Sequence, residues 1–176
     1  MAPVPPPPPL PAYDAALRDG SVLFWENSRL VKPILHHTGS DITHAAVILY
    51  RGTEPYVYEA VPPRVHAVPL DEYKKHMEEK SQRPALEKRD FRWFTMQPRV
   101  PYTIAELAAM KAHADSQLGR PYMIRAWAKE HEIKGVFCSE YAGDVIEKSD
   151  RIESAHTHES PGSLHDKLLP IYEETP

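Results

Sequence analysis

Cysteine occurs once in this sequence, at position 138, within Val136-Phe137-Cys138-Ser139-Glu140-Tyr141-Ala142. A thiol attacks carbon only as its thiolate, and a free thiol with a pKa of about 8.5 is only a few per cent ionised at neutral pH. Tyr141, Ala142, Val145 and Ile146 recur at three- and four-residue steps, so Ser139 to Lys148 reads as a helix with Cys138 at its start. Unpaired backbone N–H groups and the positive end of the helix dipole favour an anion there. The dipole contributes roughly 0.3–1 kcal/mol, less than one pKa unit, so a reactive Cys138 needs a second helper, for which histidine is the natural type. The plainer reading of the same residues is a buried structural thiol.

His44 stands inside Ile42 to Tyr50, the clearest strand, on the face of Ala46 and Ile48. Both faces of that strand are largely apolar, which places it in the interior of a sheet. Glu59 is the only charged residue of a second strand, Tyr56 to Val61, where an unpaired carboxylate would be costly to bury. The turn Arg51-Gly52-Thr53-Glu54-Pro55 makes the two strands a hairpin. If Tyr50 opposes Pro55, Ala46 opposes Glu59, and Glu59 lies diagonal to His44 on one face, about 7–8 Å away between backbones. A slip of one residue would send Glu59 to the other face. The plainer readings are a core histidine bonded to a carbonyl and an edge carboxylate facing water. Together Cys138, His44 and Glu59 make a nucleophile, a base and an orienting acceptor. The backbone N–H of Cys138 is then a ready oxyanion donor.

The elements that must position these residues follow in order. Met1 to Pro11 is mostly proline, which favours extended polyproline II; residues 1–13 read as a linker or arm, and a PxxP-binding partner is one use for it. Residues 14–176 read as a single domain. Asp14 to Asp19 suggests a short helix, Ser21 to Trp25 a strand, and Asn27 or Ser28 a cap for a short helix through His37. Val65 to Val68 is a strand that Pro69 confines to an edge or an end. Leu70 to Lys80 reads as a polar, exposed helix, and Phe91 to Gln97 as a strand. Thr103 caps a helix through Leu118 with Glu106 at the capping-box position; Ile104, Leu107, Ala108 and Ala114 form its apolar side and Gly119 stops it. The tail from Ser149 is polar and is expected to wrap the surface.

Totals exclude several classes. A net charge of -4 argues against a general nucleic-acid binder, and Trp93 and Phe94 among Arg89, Arg92 and Arg99 read as a strand with solvated arginines. One cysteine excludes an intrachain disulfide and a Cys-based zinc site. No apolar run approaches the roughly 18–20 residues of a membrane helix. No charged segment followed by an apolar one opens the chain, so no intact signal peptide is expected; an exported, periplasmic location is favoured over a cytoplasmic one. His156, His158 and His165, or His36 and His37, could suggest a metal, but the first set lies in a polar tail without the carboxylate arrangement of a hydrolytic zinc site. No metal or other cofactor is expected.

A family resemblance rests on these residues together. Thr43-His44-Ala45-Ala46-Val47, Val57-Tyr58-Glu59-Ala60, Gly119-Arg120-Pro121-Tyr122 and Phe137-Cys138-Ser139-Glu140 resemble, in order and content, the YiiX group of permuted papain-like cysteine hydrolases, related to the NlpC-type cell-wall peptidases. Asp19-Gly20-Ser21-Val22-Leu23-Phe24 and Ser160-Pro161-Gly162-Ser163-Leu164 extend the similarity over most of residues 19–164. The resemblance implies an α+β fold, an antiparallel sheet or half-barrel packed against helices, with the histidine strand preceding the cysteine helix. It implies Cys138 as nucleophile, His44 as base and Glu59 as third member. Tyr122 matches a family tyrosine that lines the site or bonds the oxyanion; the acidic residue that often follows it is Met123 here. Apart from the resemblance, Asp41, Ser40 and Trp25 are set near His44 by proximity in sequence alone, and Asp41 and Trp25 with Ser139 complete the candidate substrate-binding or oxyanion set. The implied activity is hydrolysis of amide or ester bonds through an acyl-enzyme. Peptidoglycan peptides, small amides and acyl-lipids are the substrate classes, with acyl transfer or a non-enzymatic binding module in the same cleft as alternatives.

Overall fold

The computed structural model describes residues 17–27, 40–82, 90–123, 135–156 and 159–175. The proline-rich arm and most of the helix expected before His37 lie outside them, as do residues 14–16 of the first expected helix. Six strands form one sheet: β1 (Ser21–Glu26), β2 (Ile42–Arg51), β3 (Glu54–Val61), β4 (Arg64–Pro69), β5 (Arg92–Pro98) and β6 (Tyr172–Glu174). Their order is β4-β3-β2-β1-β5-β6, and every neighbouring pair is antiparallel. Pro69 ends the edge strand β4, as a residue without an N–H must. Among the described residues four helices accompany the sheet: α1 (Leu70–Ser81), α2 (Ile104–Ser116), α3 (Cys138–Glu147) and α4 (Pro161–Leu168).

Alternation along β2 divides the core in two. Ala45, Val47 and Leu49 face a large cluster with Met110 and Ala114 of α2, Tyr141, Ala142, Val145 and Ile146 of α3, and Leu164 and Leu168 of α4. Ala46 and Ile48 face a smaller cluster with Leu23, Val57 and the α1 residues Leu70, Tyr73 and Met77. Each large apolar side chain so buried contributes roughly 1.5–3 kcal/mol.

Three expectations need correction. First, α1 is polar in composition, yet Leu70, Tyr73 and Met77, spaced three and four apart, are buried under the sheet. Second, the tail is partly structural: Ser160 and Ser163 form a capping box, Pro161 opens α4, and β6 adds an edge strand to β5. Tyr172 is buried and donates its hydroxyl proton to the Gly20 carbonyl at 2.8 Å. Third, Ile104 is 89% exposed, while Met110 and Ala114 supply the buried side of α2. The Thr103–Glu106 capping box of that helix is present.

Candidate functional site

Register builds the first half of the site. Tyr50 opposes Pro55 and Val47 opposes Tyr58, so the hairpin has the pairing that places His44 and Glu59 on one sheet face. His44 Nε2 lies 2.7 Å from Glu59 Oε2, and both residues are buried. Glu59 faces its cross-strand partner His66, whose Nε2 lies 2.9 Å from Oε1. From α1, the Tyr73 hydroxyl donates to Oε2 at 3.2 Å. Neither His66 nor Tyr73 was singled out from the sequence. His66 was open to the same cross-strand reasoning, since Val65 to Val68 reads as a strand pairing with Tyr56 to Val61. Tyr73 was hidden by the polar composition of its helix.

The second half comes from α3. Its first residue is Cys138, and the preceding Phe137 supplies no capping side chain. The helix packs on the face opposite to His44, yet the sulfur meets the imidazole. The β2–β3 ladder explains how. Paired residues end at Val47 and Tyr58, although β2 begins at Ile42 and β3 continues to Val61. The helix start fills this opened end, where the sulfur takes hydrogen bonds from His44 and from the backbone N–H groups of Ala45 and Ser139. Since His44 Nε2 serves Glu59, Nδ1 is the nitrogen left for the sulfur. The lead-in is held by an isolated bridge between Tyr122 and Val136, with Val136 N–H donating to the Pro121 carbonyl at 3.0 Å. Gly135 lacks a side chain where Met123 packs; a Cβ there would collide with that side chain.

Electrostatics follow from this geometry. Burial alone would push the His44 imidazole down, but the Cys138 charge, the hydrogen bond to Cys138 and the Glu59 contact outweigh it and raise it to about 9. Burial would push the Cys138 thiol up; the His44 charge and hydrogen bond, then the two backbone N–H groups, bring it below its ordinary value. Burial opposes ionisation of Glu59 as well, and the hydrogen bonds from His44 and His66 reverse this, lowering it to about 2. The directions agree on one state: thiolate, imidazolium and carboxylate in a row.

The other candidates differ in placement. Trp25, opposite His44 across β1 and β2, tilts its ring over the imidazole with centroids 4.1 Å apart. Lys80 Nζ lies 3.8 Å from the Trp25 ring centroid. Tyr122 is half-buried, and burial, then the nearby Cys138 charge, disfavours its ionisation. The Ser139 hydroxyl is buried and donates to the Glu159 carbonyl at 2.9 Å, so only its backbone N–H serves the sulfur. Asp41 is exposed; its carbonyl accepts from Asn27 N–H, and among the described residues no contact joins it to His44 or Cys138.

The histidines of the tail are not gathered. His165 meets the rings of Phe24 and Phe94 edge to face, and His158 lies outside the described residues. His156 lies beside Asp144 and Glu147, with one potential ligand atom from each within 4.8 Å of the others. It turns Nδ1 to Asp144 at 2.9 Å and Nε2 to Glu147 at 3.8 Å. Nδ1 is thus engaged by Asp144, and Ser154 already donates to both carboxylates. The arrangement fits a hydrogen-bonded clamp better than an ion site.

No known family profile and no curated protein matches the sequence. In fold, the chain is similar to the crystal structure of the metalloprotein yiiX from Escherichia coli O157:H7. The TM-score is 0.65 at 19% identity, over 92% of this chain and 97% of that one. The fold expected from the resemblance is therefore that of the chain: α+β, with a six-stranded antiparallel sheet and helices packed on it.

Proposed function

We propose that this protein is a thiol-dependent hydrolase of amide or ester bonds with a permuted papain-like arrangement, in which Cys138 is the nucleophile, His44 the proton carrier and Glu59 its orienting acceptor. The observation that carries the reading is one imidazole held between a buried carboxylate, 2.7 Å away, and the sulfur of the only cysteine at a helix start. Such a constellation has little structural purpose, since burying three ionisable groups costs more than an apolar substitute would.

The chemistry proceeds in two halves. Thiolate Cys138 attacks the carbonyl carbon, and the oxygen becomes an anion facing the Cys138 backbone N–H, with Tyr122 at the same side. The imidazolium of His44 gives its Nδ1 proton to the leaving amine or alcohol as the carbon–heteroatom bond breaks. Neutral His44 then takes a proton from water, which attacks the thioester; the acid departs, and thiolate and imidazolium are restored. Throughout, Glu59 keeps the ring in one tautomer and stabilises its charge. Small amides, peptides such as those of peptidoglycan, and acyl-lipids share the required carbonyl. An amine or alcohol in place of water would make the reaction an acyl transfer. The metal of the bacterial neighbour is not carried over, because Asp144, Glu147 and His156 are already joined to one another and to Ser154 by hydrogen bonds; no step here runs through a metal.

The test is a panel of peptide amides, thioesters and acyl esters assayed with wild type and Cys138→Ala. Wild type is expected to release acid from at least one of them, with a trapped acyl group on Cys138 seen by mass spectrometry. The Cys138→Ala protein is expected to fold and show no turnover. Equal turnover in Cys138→Ala would remove the hydrolase reading, and an unreactive Cys138 would leave a non-enzymatic binding module.

A further inference from the structure

Glu59 has more partners than a triad requires. Its carboxylate is buried, with 6% of the side chain exposed, yet His44 uses only Oε2. Oε1 receives Nε2–H of His66 at 2.9 Å, and Oε2 takes a second bond from Tyr73 at 3.2 Å. A carboxylate bonded through a single oxygen can rotate about its last torsion, which is broad and roughly two-fold. One bonded through both oxygens cannot rotate without breaking a charge-assisted hydrogen bond. His66 differs from His44 in exposure: 41% of its side chain reaches solvent, so a smaller residue there opens onto water rather than onto a closed cavity. It sits directly opposite Glu59 across the β3–β4 ladder, on the face that carries His44, Trp25 and Tyr73.

We propose that His66 is a positioning residue that, with Tyr73, locks the Glu59 carboxylate in the orientation presenting Oε2 to His44. The role rests on the proposed Cys138–His44–Glu59 site and extends it by one link. The groups facing the carboxylate are His44 from β2, His66 from β4 and Tyr73 from α1; those facing the sulfur are His44, Tyr122 and Tyr73. Without His66, Oε1 turns to water, the carboxylate loses its fixed rotamer, and the imidazolium beside Cys138 is less well held.

The experiment measures chloroacetamide alkylation of Cys138 by intact-mass spectrometry from pH 5 to 10, which needs no substrate. His66→Ala is expected to slow alkylation at pH 7 about three- to fivefold and to move thiol ionisation to higher pH, the scale of one partly exposed charge-assisted hydrogen bond. His66→Gln, whose amide nitrogen reaches the place of Nε2, is expected to stay within about twofold of wild type. In a Glu59→Ala background, His66→Ala is expected to add nothing, since a role exercised through Glu59 ends with Glu59. Additive slowing in the double variant, or equal slowing by Ala and Gln in step with lost thermal stability, would reduce His66 to a strand residue. A reactive, His44-dependent Cys138 that is indifferent to His66→Ala would remove this role alone. A wild-type thiol with ordinary ionisation would remove the hydrolase reading and this role together.

Discussion

Replacing His44 by alanine is the most direct probe of the ion pair. Two backbone N–H groups remain on the sulfur, but the imidazolium charge that offsets burial is gone. Burial then acts on the thiol unopposed and lifts its ionisation above the ordinary range. A thiol with a pKa near 8.5 is about 3% ionised at pH 7, so a fully formed thiolate has an ionisation advantage of at least about 30-fold there. Thiolates of lower basicity are weaker nucleophiles, with a Brønsted slope of about 0.4–0.5, which trims the expected difference to roughly tenfold. The assay is iodoacetamide labelling against pH. Wild type should label on the acid side of an ordinary thiol, with labelling falling about tenfold at pH 7 in His44→Ala; the two should converge only above the raised ionisation of the variant thiol, on the alkaline side of an ordinary one. A single titration at the ordinary thiol position, unchanged by His44→Ala, would refute the reasoning.

The pair also sets a stability window. Glu59, lowered from 4.5 to about 2, stabilises the fold above its unfolded value and loses that contribution as the pH falls towards 2; the gap is worth on the order of 3 kcal/mol. His44, raised from 6.5 to about 9, contributes fully below 6.5 and progressively less as the pH rises through 9. Urea unfolding should therefore show the His44–Glu59 contact contributing most between about pH 5 and 6.5, while the lowered Cys138 thiol adds stability as the pH rises and so offsets part of the loss on the alkaline side; Glu59→Gln should flatten the acid side while retaining part of the thiol reactivity. Elsewhere, Lys167 Nζ lies 2.6 Å from Oε2 of Glu159, whose side chain is fully buried. Ala155 N–H and the Ser163 hydroxyl also donate to that carboxylate, so Lys167→Met is expected to lower unfolding stability by about 1–2 kcal/mol, with much of the loss recovered when Glu159→Gln is added. A loss below about 0.5 kcal/mol would mean the pair behaves as a surface one.

The parts of the site that were legible in the sequence are those governed by local rules. His44 and Glu59 stand at fixed offsets from one short turn, and period-two alternation then leaves a single choice of face, which the observed Tyr50–Pro55 pairing bears out. Thr103 and Glu106 mark a helix start by their spacing alone. α1 was misread because three buried residues among charged neighbours form a narrow stripe, and only the sheet beneath it shows which way that stripe faces. Ser139 looked available beside Cys138, but the carbonyl of Glu159, twenty residues away, claims its hydroxyl.

By itself the sequence determined the secondary elements around the site, the sulfur at a helix start and the His44–Glu59 register, because each depends on neighbours within one element or one hairpin. The tertiary structure alone decided that β5 and β6 extend the sheet beside β1, and that α3 packs on the face opposite to His44. It also decided that the β2–β3 ladder opens past Val47 and Tyr58, so that sulfur and imidazole meet through the gap. Such pairings between distant segments are selected by the burial and hydrogen bonding of the whole chain, and no local pattern encodes that sum.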